Sequence, residues 1–160
     1  MATLKVKIQE DVILNNQDYG SKRVLEIESI TSIVKRVVNI GTAEIGLLGF
    51  GADYNTELSK SYLSGQFDED LVRYIRITNL DTTNHIALVL RNENNDEFGV
   101  KVDKGCSFLY CADLAGGVKD TMDSSNSAGG ITPNSFGDLV DITCVADTAA
   151  CDVEVFVASA

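Results

Sequence analysis

The chain has 160 residues, with 24 Asp and Glu against 13 Lys and Arg and a formal charge of −11. That length gives a single domain, residues 1–160, able to bury about two-thirds of its unfolded surface without a disulfide framework or a structural metal. The acidic balance and the scattering of the basic residues argue against a nucleic-acid partner, which needs clustered Lys and Arg to displace phosphate counterions. No run approaches the roughly 18 apolar residues of a membrane helix.

Taken in order, residues 3–8 alternate polar and apolar, with Leu4, Val6 and Ile8 on one face, and predict a first strand. They lack the continuous apolar core of a secretory leader, so none is expected. Val12, Ile13 and Leu14 extend this strand before the turn-rich stretch 15–21. Residues 23–28 give a second strand through Leu25 and Ile27. Ile30, Ile33, Val34, Val37 and Val38 match helical spacing, yet the β-branched run 37–40 fits a strand equally well. The reading adopted is a turn at 29–32 followed by a strand. Residues 44–50 set Ile45, Leu47, Leu48 and Phe50 among Gly41, Gly46, Gly49 and Gly51. No lysine follows these glycines, so they mark bulges or bends rather than a phosphate loop. Residues 53–70 are a polar excursion, with room for a helical turn near 57–63 and with Tyr54, Leu58, Tyr62, Leu63 and Phe67 as anchors.

The central stretch 71–111 reads as a meander of three consecutive hairpins. Ile75 and Ile77 alternate with Arg76 and Thr78, and the loop 81–84 is rich in Asp and Asn. Closing that loop sets Ile77 opposite Leu88 and Ile75 opposite Leu90. The next loop, 92–96, sets Leu90 against Phe98, Leu88 against Val100 and Ile86 against Val102. Gly105, third residue of the turn 103–105, suits a positive φ and places Val100 opposite Phe108 and Phe98 opposite Tyr110. The three registers agree on one shared apolar face.

Residues 112–138 have little to bury, and loops of this length are usually functional or disordered. Residues 140–146 and 151–158 predict a closing hairpin about Asp147 and Thr148. It would set Cys144 opposite Cys151, beside Ile142/Val153 and Val140/Val155. Two buried reduced thiols are the reading taken there, with a bridge as the alternative. The whole is an all-β chain: an antiparallel β-sandwich or jelly roll of about 8–10 strands with long loops.

Catalytic chemistry is sparse. His85 is the single histidine and sits beside a turn, and neither a Gly-x-Ser-x-Gly elbow nor a His-Glu-x-x-His helix occurs. Asp68 and Asp70 form a carboxylate pair, but the chain has no tryptophan to serve as a sugar platform. A zinc site is not expected from four dispersed cysteines. Asp120, Asp123 and Asn126, with Asp103 and Asp113 as neighbours, are weak calcium candidates whose spacing is not that of an EF-hand. The expectation is a non-enzymatic chain without a cofactor.

Three segments carry a resemblance: Tyr74-Ile75-Arg76-Ile77-Thr78-Asn79-Leu80, Gly105-Cys106-Ser107-Phe108-Leu109, and the run from Val145 through Ala149-Ala150-Cys151 to Val157. With Leu4-Lys5-Val6-Lys7-Ile8, they resemble small β-rich virion structural proteins of tailed phages infecting marine bacteria. The resemblance covers about half the chain. It implies a capsid decoration (cement) or tail protein in the virion, made in the host cytoplasm and working as a homo-oligomer. It would attach to the major capsid protein or other virion proteins through protein–protein contacts alone. Tyr54, Tyr62, Phe67, Met122 and Phe136 are the expected contact residues, since aromatics and Met are enriched at interfaces. The alternative is a tail or surface carbohydrate-binding module dependent on calcium.

Overall fold

The computed structural model describes residues 1–51, 62–93, 95–111, 119–120 and 137–160. The described chain is all β. In order the strands are β1 (Ala2–Glu10), β2 (Ile13–Leu14), β3 (Gln17–Asp18), β4 (Ser21–Ile30), β5 (Ser32–Ile40), β6 (Ile45–Phe50) and β7 (Gln66–Phe67). Then come β8 (Val72–Asn79), β9 (Ile86–Asn92), β10 (Glu97–Val102), β11 (Ser107–Cys111), β12 (Lys119–Asp120), β13 (Gly137–Ala146) and β14 (Cys151–Ser159).

Eight of these strands form a two-sheet sandwich. One sheet runs β11-β8-β14-β5; the other runs β10-β9-β13-β6, with β7 added parallel to β6 and β12 beside β13. Among the eight, only β9 and β10 are successive neighbours in one sheet, and each of the other connections carries the chain to the opposite sheet. This is the strand order of a jelly roll. The strand expected after residue 32 is present as β5, but the turn expected over 29–32 shrinks to Thr31, with the positive φ of Ser29 (62°) falling at an irregularity within β4.

The three-hairpin meander is only partly present. The middle hairpin forms in the expected register, with Leu90 opposite Phe98, Leu88 opposite Val100 and Ile86 opposite Val102. The other two connections are crossovers. Ile77 and Ile75 lie opposite Phe108 and Tyr110 of β11, and on their other side opposite Val155 and Val157 of β14. The closing hairpin is also absent, because β13 and β14 belong to different sheets. Cys144 lies opposite Leu88 and Ile45, whereas Cys151 lies opposite Ile40. The physical reason is common to all three. Alternation fixes which side chains point inward, but two strands facing each other across a sandwich satisfy it as well as two strands side by side.

The main core joins both sheets through Ile40, Leu47, Leu48, Phe50, Ile75, Ile77, Ile86, Leu88, Ile142, Val153 and Val155 among others, all essentially inaccessible. At one end of it sits a buried polar residue, Asn79. Its backbone N–H donates to the carbonyl of Cys106 at 3.0 Å, and its carbonyl accepts from the N–H of Gly105 at 3.0 Å. Its side-chain amide donates to the carbonyls of Asn84 (2.9 Å) and Val102 (3.2 Å), while Oδ1 accepts from the N–H of Asp81 at 3.0 Å. Gly105 has φ 70°, as its turn position demands. Asp81 Oδ1 in turn accepts from the amides of Asn84 and Thr83, which hold its carboxyl below the ordinary 3.8. One carboxamide thus ties the exit of β8, the entry of β9 and the exit of β10.

Two outcomes follow. Asn79→Ala removes hydrogen bonds to backbone groups at two crossovers, the Val102 carbonyl among them buried, and should lower unfolding free energy by about 2–4 kcal/mol in urea titrations. Among the cysteines, Cys144 and Cys151 are buried free thiols, and burial, with Cys151 nearby, pushes Cys144 up to about 12. Iodoacetamide on the folded protein should therefore label Cys106 and Cys111 only, with all four labelled after denaturation, as read by intact mass.

Candidate interaction surfaces

The first surface is the β1/β4 ribbon. Leu4 opposes Ile27, Val6 opposes Leu25 and Ile8 opposes Arg23 on one face; Lys5/Glu26, Lys7/Val24 and Gln9/Lys22 share the other. The tip closes on Asn15 and Asn16, at φ 52° and 63°. Positive φ at both central residues is what a type I′ hairpin turn requires, and Asn tolerates it. Only the base of the ribbon is seated. Leu4, Val6, Ile27 and Ile30 pack against Tyr74, Phe156 and Ala158 on the outer face of the four-stranded sheet, where Tyr74 and Phe156 meet edge to face at 5.9 Å. Further out, the ribbon overhangs that sheet and leaves a groove of about 360 Å³ bordered by Val6, Ile8, Arg76 and Leu109.

Every residue from Lys7 to Glu26 is exposed. Seven of them are large apolar side chains: Ile8, Val12, Ile13, Leu14, Tyr19, Val24 and Leu25, with Ile13 79% accessible. At about 3.4 Å per residue, β1 alone reaches ~30 Å. A two-stranded ribbon has too little of its own to bury, and a run of exposed apolar groups on both faces is the mark of a surface made to be covered.

The second surface lies on the outer face of the six-stranded sheet. Asp141, fully buried, sits 3.6 Å from Arg91 and accepts a hydrogen bond from the Tyr62 hydroxyl at 3.2 Å. Arg91, 8% accessible, also grips Glu97 through Nη2 at 2.7 Å and Nε at 2.9 Å. Burial works against the Arg91 cation, but the Glu97 hydrogen bond, with Asp141 behind it, more than restores its charge. Beside them the Thr143 hydroxyl donates to Glu44 at 2.6 Å. The cluster is a polar plate in which one guanidinium faces two carboxylates, Glu97 and Asp141.

Of the sequence-derived contact residues, Tyr62 falls on this plate. The Tyr62 ring lies over Gly49, where a Cβ would come within 2.4 Å of it, so glycine is what lets the ring close on the sheet. Phe67 is half-buried in β7 and packs against the main core. Tyr54, Met122 and Phe136 lie outside the described residues, as do Asp113, Asp123 and Asn126 of the calcium set; for Asp120 only the backbone, in β12, is described. Asp103 is ion-paired with Lys101 at 2.8 Å, and His85 Nδ1 lies 3.3 Å from Asp147. Among the described residues, no group of three His, Cys, Asp or Glu is placed to hold a metal. The exposed ribbon was not anticipated as a contact surface. The available signal was the apolar run 12–14 beside a turn, which alternation alone cannot bury on one side. No family model matches the chain, and no curated protein or solved structure matches it.

The plate makes a prediction. Arg91→Ala leaves Asp141 buried without its counter-charge and should cost about 3–5 kcal/mol, whereas Arg91→Met combined with Asp141→Leu should recover most of that loss in thermal or urea unfolding.

Proposed function

We propose that this chain is a virion structural protein of a tailed phage, a capsid decoration protein that stabilises the shell through protein–protein contacts. The observation that carries the reading is the ribbon from Lys7 to Glu26, which exposes seven large apolar side chains and is seated at its base on the sandwich. Such an arm is stabilised when another protein covers it, and repetition on a regular shell multiplies modest contacts into firm attachment. The residue-level resemblance of segments 4–8, 74–80, 105–109 and 145–157 to small phage virion proteins supports the same reading. The jelly-roll order adds an analogy only, since viral shell proteins and lectins share it and fold alone does not assign a role. The strongly acidic surface keeps such a protein soluble at high local concentration until it is taken up by its partner.

The test is quantitative mass spectrometry of purified particles. The proposal expects the protein at a copy number comparable to that of the major capsid protein, and particles lacking it should lose their contents at a lower temperature. A dozen copies or fewer would move it to a tail or vertex, and absence from the particle would end the proposal.

A further inference from the structure

We infer that the β1/β4 arm of one copy is covered by the β5 flank of a second copy of the same chain. The inference rests on the preceding reading only in treating the arm as a surface made to be covered. Two observations select the occupant. The first is charge. Residues 1–40, the arm together with β5, hold six Lys and Arg against five Asp and Glu, a net charge of +1, whereas residues 41–160 carry −12. Two acidic bodies repel each other. Contact through the arm and β5 joins the two near-neutral parts and holds the charged bodies apart.

The second observation is the state of β5 itself. Among the described residues it is an edge strand, paired only with β14, so no described strand uses the backbone groups along its other side. On its outer face Ile33 and Val37 are more than half exposed. The chain's own arm seats on Tyr74, Phe156 and Ala158 of β8 and β14 and leaves this flank uncovered. An extended apolar ribbon laid along an unpaired edge strand is a recurrent mode of strand-mediated association. The arm supplies Ile13, Leu14 and Tyr19 at its tip, and β5 supplies Ile33 and Val37.

The experiment is light scattering after size exclusion on the intact chain and two variants, with circular dichroism and melting to confirm folding. The wild-type chain is expected at a mass at least twice its 17.2 kDa. Ile13→Asp with Leu14→Asp, at exposed tip positions, should give folded monomer, and Val37→Asp should do the same from the receiving side. Mixed together, the two variants should associate again, because one keeps an intact arm and the other an intact β5 flank. A monomeric wild type overturns the inference, as does a tip variant that remains oligomeric or a mixture that fails to associate. The virion proposal is read separately: a wild-type monomer found abundantly on particles removes only this inference, and an arm-dependent oligomer absent from particles removes only the virion role.

Discussion

The sandwich depends on one buried carboxamide. In a jelly roll nearly every connection leaps from one sheet to the other, so strand pairing alone does not hold the two sheets in register at the ends. Asn79 does so here. Its backbone belongs to β8, in the four-stranded sheet, and its side chain reaches carbonyls at the entry of β9 and the exit of β10, in the six-stranded one. Asn79 itself is inaccessible and the Val102 carbonyl is buried, and leaving such groups without a partner costs more than the bond itself is favourable. The arrangement therefore has little tolerance for a different residue, and the apolar core beneath it can remain wholly apolar.

Much of the fold was legible in the sequence. The strands near 3–8, 44–50, 86–91, 97–102, 140–146 and 151–158 announce themselves by alternation, and the register of β9 on β10 was readable because a short polar loop joins neighbours in one sheet. What could not be read was which strands are neighbours. Asp81, Asn84 and Gly105 mark tight turns correctly, but a tight turn can end either alongside its predecessor or across the core from it. Asn79 bonds across the two sheets at these turns, and in the sequence it reads as one more polar residue at a strand end. The candidate surface was harder still. An aromatic such as Tyr62 looks like a contact residue until it is seen lying over Gly49, while Ile13 and Leu14 look like core until the ribbon that carries them is seen standing free.

The two outer faces of the sandwich have been given opposite treatments. The six-stranded sheet carries an ion cluster on its face, Arg91 between Glu97 and Asp141, which fixes geometry at some cost in desolvation. The four-stranded sheet mixes the apolar groups Tyr74, Phe156, Ile33 and Val37 with the ion pairs of Glu154 to Lys35 and Arg76, and the arm covers part of it. The faces therefore differ in what they leave open: Arg91 and Asp141 are buried, whereas Ile33 and Val37 are more than half exposed.

The joint between arm and body carries a mechanical consequence. A single residue, Thr31, separates β4 from β5, and its N–H is bonded to the carbonyl of Ser159 at the end of β14. A pull on the arm along the line of β5 therefore enters the body through the chain at the start of that strand. β5 is matched to β14 over nine consecutive residues, from Ser32/Ser159 to Ile40/Cys151. Force applied in that direction loads all the rungs of the ladder together instead of unzipping them one at a time, so the attachment point is also the best-anchored place from which to tow the domain.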